Sequence, residues 1–128
     1  MKININNNNI VQYYENLKES FNDNNKYFPA KITFIIQKNI SLLEKLSRDI
    51  YITRDKIVKH YGSPSGDETF FIPEEVRETT QKELDDLLEI EQEVNILKLK
   101  FKDIEDLEFT SNQMEALMFM IDEEDQAE

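Results

Sequence analysis

The spacing of apolar residues predicts a long helix as the main element of the chain. Pro29 lies where a first-turn proline is expected, and Gly62 is predicted to end the helix as a terminator of the C′ type. Between them, apolar side chains recur at intervals of three, four or seven, at Ile32, Ile36, Ile40, Leu43, Leu46, Ile50, Ile57 and Tyr61. This pattern predicts one helix of roughly 30 residues, about 45 Å long. Such a helix needs a partner to cover its apolar stripe.

A second long helix, from Pro73 to about Glu93, is the predicted partner. Glu74 and Glu75 would lie in its first turn, where acidic side chains favour the positive end of the helix dipole. Its inner side is predicted to carry Val76, Thr80, Leu84, Leu87, Leu88 and Glu91. The two long helices are therefore expected to form an antiparallel hairpin.

Shorter elements are predicted at the start of the chain and between the long helices. Lys2 to Ile5 alternates polar and apolar residues, which is typical of a strand. Asn8 or Asn9 is expected to cap a helix from Ile10 to about Phe21. Residues 62–67 read as an exposed loop, followed by a short strand at Phe70 to Ile72.

The end of the chain is predicted to contain a strand and a final helix. Val94 to Phe101 alternates like a half-buried strand. The sequence Thr110-Ser111-Asn112-Gln113 matches a capping box, and the helix after it would bury Met114, Leu117, Met118 and Ile121. The predicted fold class is therefore α+β and mostly α: a long antiparallel helical hairpin with a small antiparallel β-sheet and a C-terminal helix. Residues 1–121 would form a single domain and residues 122–128 an acidic tail.

Composition narrows the classes of protein that the chain can belong to. Its 128 residues include no cysteine, which excludes a disulfide scaffold, thiolate zinc sites and a cysteine nucleophile. No apolar run is long enough to span a membrane, and the first residues lack the apolar core of a signal peptide. We therefore expect a soluble, cytoplasmic protein that does not contact a membrane.

Charge is distributed unevenly between the two halves of the chain. The net charge is -12, yet residues 1–62 carry 10 basic and 6 acidic residues, whereas residues 63–128 carry 5 and 21. Such asymmetry is expected either when two helices attract each other or when one face binds a charged partner. The first alternative would pair the acidic second helix with the basic residues of the long helix, Lys31, Lys38, Lys45, Arg48, Lys56 and Lys59.

The acidic second helix supplies the candidate binding site. Glu74, Glu78, Asp85 and Glu89 share one outer stripe at helical spacing. The stripe is either a solvated face or a contact surface, and in the second case its carboxylates could imitate a phosphate backbone. Phe70 and Phe71 precede it as either core residues or an apolar anchor for a partner.

No residue pattern indicates catalysis, a cofactor or a metal. His60 is the only histidine and lies in the predicted last turn of the long helix. No serine lies in a nucleophile motif for which His60 could act as the general base. Exposed carboxylates in one stripe share one environment, so they lack the split acid and base roles of hydrolytic pairs. The acidic tail lacks the central glycine and alternating ligands of a calcium loop. The overall charge opposes direct nucleic-acid binding.

The order of motifs resembles a family of small proteins of unknown function from phages of Gram-positive bacteria. In the first half of the chain, the resemblance rests on the opening Lys2-Ile3-Asn4-Ile5-Asn6 and on Lys59-His60-Tyr61-Gly62 at the end of the long helix. In the second half, it rests on Glu83-Leu84-Asp85-Asp86-Leu87-Leu88 with Glu93-Val94-Asn95-Ile96, and on Met114-Glu115-Ala116-Leu117 in the last helix. It covers nearly the whole chain. The family offers no catalytic residue to transfer, and the loop at residues 62–69 is shorter and richer in serine than the resemblance implies.

Two functions follow as expectations. The first is a non-enzymatic, phage-encoded interaction protein that binds and inhibits or redirects a host protein of the anti-defence type, acting in the cytoplasm of the infected cell. The alternative is a virion structural or assembly protein of the neck, tail or chaperone kind, because a long helical hairpin suits homo-oligomeric packing. The partner would be a host or phage protein.

Overall fold

A computed structural model of the protein describes residues 1–22, 26–64, 66 and 69–122. The elements follow in the order β1 (Lys2–Asn6), α1 (Asn7–Ser20), α2 (Ala30–Tyr61), β2 (Ser63–Pro64), β3 (Phe70–Phe71), α3 (Glu74–Glu89), β4 (Glu91–Asn95) and α4 (Ser111–Leu117). Two short 3-10 turns lie at Phe101–Asp103 and Met118–Met120. The predicted fold class is confirmed: the protein is α+β, mostly helical, with a long helix and a small antiparallel sheet.

Helix α2 forms the centre of the fold and packs against both α1 and α3. Its predicted apolar stripe faces the core, where Ile32, Ile36, Leu43 and Ile50 are buried. The buried face is wider than predicted, because it also includes Ile35, Asn39 and Ser47. Burial of this face explains why one uninterrupted helix of 32 residues is stable in so small a protein.

Within the described residues, two sheets of two strands complete the fold. Strand β1 pairs antiparallel with β4, from Lys2 opposite Asn95 to Asn6 opposite Glu91. Ile5 and Val94 point from these strands into the core. The predicted strand at Val94–Phe101 is therefore wrong in its bounds, since β4 covers Glu91–Asn95. Beyond it, Leu99 makes only an isolated bridge to Ile121 among the described residues.

Helix α3 is shorter than predicted because Asn7 terminates it. The Asn7 side chain donates to the Leu87 carbonyl oxygen at 2.8 Å, and the Asn7 backbone N–H donates to the Ile90 carbonyl oxygen at 2.9 Å. These bonds satisfy carbonyl groups that a longer helix would have used internally. Glu91 consequently lies exposed in β4, and its predicted place on the inner side of the helix is wrong.

The connection between α2 and α3 is a small hairpin, in which Ser63 pairs with Phe71 and Pro64 with Phe70. Gly62 ends α2 as predicted, although its φ of -88° lies outside the left-handed region that is common for a glycine after a helix. Close packing accounts for this glycine. A Cβ atom at this position would lie 2.7 Å from the Val58 carbonyl oxygen and 3.1 Å from the Phe70 Cβ.

The ends of the shorter helices also differ in part from the prediction. Asn6, not Asn8 or Asn9, caps α1, because its side-chain oxygen accepts from the Asn9 N–H at 2.8 Å. The Thr110–Gln113 capping box is confirmed. Met118 is 55% exposed rather than buried, because α4 ends at Leu117 and the following 3-10 turn places Met120 in the core instead.

Candidate protein-binding surfaces

The outer stripe of α3, which we define as Glu74, Glu78, Asp85 and Glu89, is exposed along its whole length. The buried residues of this helix, Thr80 and Leu87, lie on its opposite side. At 1.5 Å per residue the stripe extends about 22 Å. The structure thus brings these four predicted site residues together on one rigid, solvent-facing surface.

The surroundings of the outer stripe have mixed charge. Glu74, Glu78 and Asp85 line an open depression of about 910 Å³ together with Arg77 and Lys82. The Lys82 ammonium donates to the Asp86 carboxylate at 3.0 Å, and this hydrogen bond raises the pKa of Lys82. Cations therefore interrupt the carboxylates, so the surface differs from a continuous row of phosphate-like charges.

Gln81 orients one carboxylate of the stripe. Its side-chain amide donates to Asp85 Oδ1 at 2.9 Å, one helical turn away. The other Asp85 oxygen is open to solvent or to an incoming donor, since the residue is exposed. Such a group is suited to accepting hydrogen bonds from a partner.

The two phenylalanines before α3 have different environments. Phe70 is half-buried against Gly62, whereas Phe71 is 56% exposed. Phe71 lies three residues before Glu74, where β3 leads into the acidic helix. The half-buried Phe70 therefore fits the core interpretation in part, while Phe71 presents an exposed apolar ring three residues before the outer stripe begins.

The alternative that pairs the basic residues of the long helix with the acidic second helix is not supported by the ion pairs. Lys31 pairs instead with Asp103 at 2.9 Å, and Arg48 pairs with Glu44 of its own helix at 3.6 Å. Within residues 1–22, 26–64, 66 and 69–122, no ion pair joins α2 to α3. The acidic and basic faces point into solvent separately.

A hydroxyl supplies a polar contact between the two helices. Desolvation and a hydrogen bond to Glu83 of α3 raise the pKa of Tyr61, which is the last residue of α2. Tyr61 had been predicted as part of the apolar stripe, and it is half-buried there. Tyr61 thus contributes a polar link between α2 and α3 at the end of the predicted stripe.

Sequence reasoning missed a set of buried amide side chains that join distant segments. Asn39, which is 1% exposed, accepts from the Leu97 N–H at 2.8 Å and donates to the Leu97 carbonyl oxygen at 3.0 Å. Gln113 donates to the Ser20 carbonyl oxygen at 3.1 Å and so ties α4 to the end of α1. The available signal was the position of Asn39 within the apolar face of α2, where a polar residue needs a partner.

The remaining predicted features give no evidence for catalytic or metal chemistry. His60 is exposed and packs edge-on against the Tyr61 ring at 4.7 Å. Among the described residues, no three histidine or acidic side chains are arranged to hold a metal ion. Residues 123–128 of the predicted acidic tail lie outside the described residues, while Asp122 pairs with Lys98 at 2.8 Å.

None of the helices in the described part of the chain is long and apolar enough to cross a membrane. No protein-family model matches the chain, and no curated protein or solved structure is significantly similar to it.

Proposed function

We propose that the protein is a non-enzymatic interaction protein, which binds a partner protein through the outer stripe of α3. The observation that carries the proposal is the exposure of Glu74, Glu78, Asp85 and Glu89 on a helix whose opposite side is buried. A rigid helix holds its charges in a fixed pattern, so binding does not require the backbone to be ordered first. Complementary charge would accelerate association and select the partner.

The chemistry of the stripe favours a basic protein surface as the partner. Arg77 and Lys82 lie among the carboxylates. A partner surface that carries some acidic groups among its basic ones therefore complements the stripe better than a partner surface that recognises only negative charge. Phe71 would add an apolar contact at one end of the stripe. This favours a protein–protein contact over imitation of a nucleic-acid backbone.

The sequence resemblance to small phage proteins extends the proposal to a biological setting. In that setting the protein is made in the cytoplasm of an infected bacterium, where it binds and inhibits or redirects a host protein. Support for this step comes from the sequence motifs alone.

The experiment uses the protein as bait in lysate of infected cells, with mass spectrometry of what it captures. A variant with Glu78→Lys, Asp85→Lys and Glu89→Lys reverses the outer stripe. The matched control, Glu105→Lys, Asp106→Lys and Glu115→Lys, makes the same change in net charge at exposed acids outside α3. We expect a protein that wild type and control capture and the stripe variant does not.

Added salt should weaken this capture, because exposed charges are screened. Equal capture by the stripe variant and the control would reject the stripe as the binding surface. A partner that binds all three forms would have to use another face.

A virion or assembly role is the second candidate. The observation that favours it is the length of α2, which at 1.5 Å per residue extends about 48 Å and exposes Phe34 and Ile52 on its outward side. A long helix with an open outward side offers further subunits a surface to pack against. Mass spectrometry of purified particles would detect the protein in the virion, and its absence there would reject this role as a structural component.

A further inference from the structure

A cluster of phenylalanines forms the base of a groove at the start of α2. The Phe28 ring stacks on Phe109 at 5.0 Å between centroids, and Phe21 lies edge-on to Phe28 at 5.9 Å. Phe28 is 9% exposed. These contacts fix the segment that leads into α2 and place an apolar floor below it.

The groove itself has a volume of about 540 Å³. Ile36 and Phe28 contribute to its floor, while Tyr27 and Phe34 flank it with exposed fractions of 82% and 58%. This volume lies within the range of sites that hold a small ligand or a few side chains, roughly 300–1,000 Å³. Tyrosine and phenylalanine rings at such a rim bury large areas at little cost in side-chain entropy.

The charge at the groove is opposite to that of the protein as a whole. Lys26 donates to the Glu108 carbonyl oxygen at 2.8 Å, which holds its ammonium 5.3 Å from the Phe28 ring centroid. The Lys38 ammonium lies 5.9 Å from the Phe34 ring centroid. None of the described residues that line the groove is acidic, although the chain carries a net charge of -12.

We propose that this groove binds a short peptide segment of a partner protein, in which one or two large apolar side chains are flanked by acidic residues. The apolar side chains fill the space between Tyr27 and Phe34, and the flanking carboxylates pair with Lys26 and Lys38. The site is separate from the outer stripe of α3. The same molecule would therefore have two binding sites, one for a basic protein surface and one for an acidic peptide.

The test titrates the full-length protein with three synthetic peptides and follows its backbone amide signals by NMR. The first peptide has leucine and phenylalanine between pairs of glutamates. The second has the same apolar residues between pairs of lysines, and the third keeps the glutamates but replaces the apolar residues with glycine and serine. We expect only the first to bind, with shifts at residues around the groove and an affinity that falls as salt is added.

Two exposed rings provide the matched variants. Tyr27→Ala and Phe34→Ala should each weaken binding of the first peptide about tenfold or more, the effect of removing an aromatic anchor. Phe71→Ala removes a ring of similar exposure on β3 and should leave the affinity unchanged. Lys26→Glu should weaken binding, whereas Lys59→Glu, the same charge change at the other end of α2, should not.

Several outcomes would overturn the proposal. These are no binding of the first peptide, equal binding of the lysine-flanked peptide, or binding that survives Tyr27→Ala and Phe34→Ala. Self-association that Phe34→Ala abolishes would assign the groove to a second copy of the chain instead. Phe71 and the acidic stripe are not part of this groove. A result that rejects peptide binding in the groove therefore leaves the proposed binding through the outer stripe of α3 to be tested separately.

Discussion

The two helices of the hairpin, α2 and α3, differ in how many of their residues are buried in the core. Helix α2 buries seven residues along one face, and Asn39 attaches that face to the segment after β4. Helix α3 buries only Thr80 and Leu87 among its residues, and none of the ion pairs between described residues joins its outer stripe to α2. Helix α2 is therefore the main structural support, whereas α3 contributes few residues to the core.

The most severe test of this difference removes a leucine from each helix. Leu43 of α2 is fully buried, so Leu43→Ala should lower the free energy of unfolding by about 2–5 kcal/mol. Leu84 of α3 is half-buried, so Leu84→Ala should cost about 1 kcal/mol, because less apolar surface is lost. Urea denaturation measures both losses, and an equal loss in the two variants would contradict the role of α2 as the main structural support.

A smaller loss is expected from the buried amide of α2. Asn39→Ala leaves the N–H and carbonyl groups of Leu97 without their partner, which should cost about 1–3 kcal/mol. Gln37→Ala, an exposed change on the same helix, serves as the control and should stay within about 0.5 kcal/mol of wild type. If the two variants were equally stable, Asn39 would not be the attachment point that we describe.

Ser47 offers a change in the opposite direction. Its hydroxyl is buried in the core face of α2 and has no hydrogen-bond partner within the described residues. Ser47→Ala removes the unpaired group, so the free energy of unfolding should rise by up to about 1 kcal/mol. Ser41→Ala, an exposed serine on α2, should have little effect. Destabilisation by Ser47→Ala would indicate that the hydroxyl is in fact bonded.

The smallest expected effect concerns the ion pair that anchors the start of α2. A hydrogen bond from Lys31 lowers the pKa of Asp103 below its ordinary value of 3.8. A lowered pKa in the folded state gives a stabilisation that is fully present above 3.8 and is lost as the pH falls through the lower folded-state pKa. Wild type and Lys31→Met should therefore differ in stability at neutral pH and converge in acid. A difference that persisted in strong acid would contradict this origin.

Helix periodicity was the most informative signal in the sequence. It predicted α2 almost residue for residue, because the three- and four-residue spacing of Ile32 to Ile50 is dictated by one buried face. It also placed the outer stripe of α3 correctly, since a helix with one buried side must expose the other. The strand after α3 was misplaced because alternation alone does not fix register. Pairing with β1 and the bonds made by Asn7 set where β4 begins.

Surface ion pairs were the least predictable feature. One alternative paired the basic residues of α2 with the acids of α3, yet Lys31 pairs with Asp103 and Arg48 pairs with Glu44 of its own helix. A long charged side chain at the surface gains little free energy from any one ion pair. The local geometry therefore determines which ion pair forms. Charge totals along a sequence therefore identify a charged surface without identifying what it contacts.

The central claim is that the outer stripe of α3 serves binding and not folding. The most direct measurement is the affinity of the purified partner for the variant with Glu78→Lys, Asp85→Lys and Glu89→Lys, determined alongside the free energy of unfolding of that variant. We predict that stability stays within about 1 kcal/mol of wild type, since these residues are exposed, while binding is lost. Unchanged affinity in a folded variant would contradict the claim.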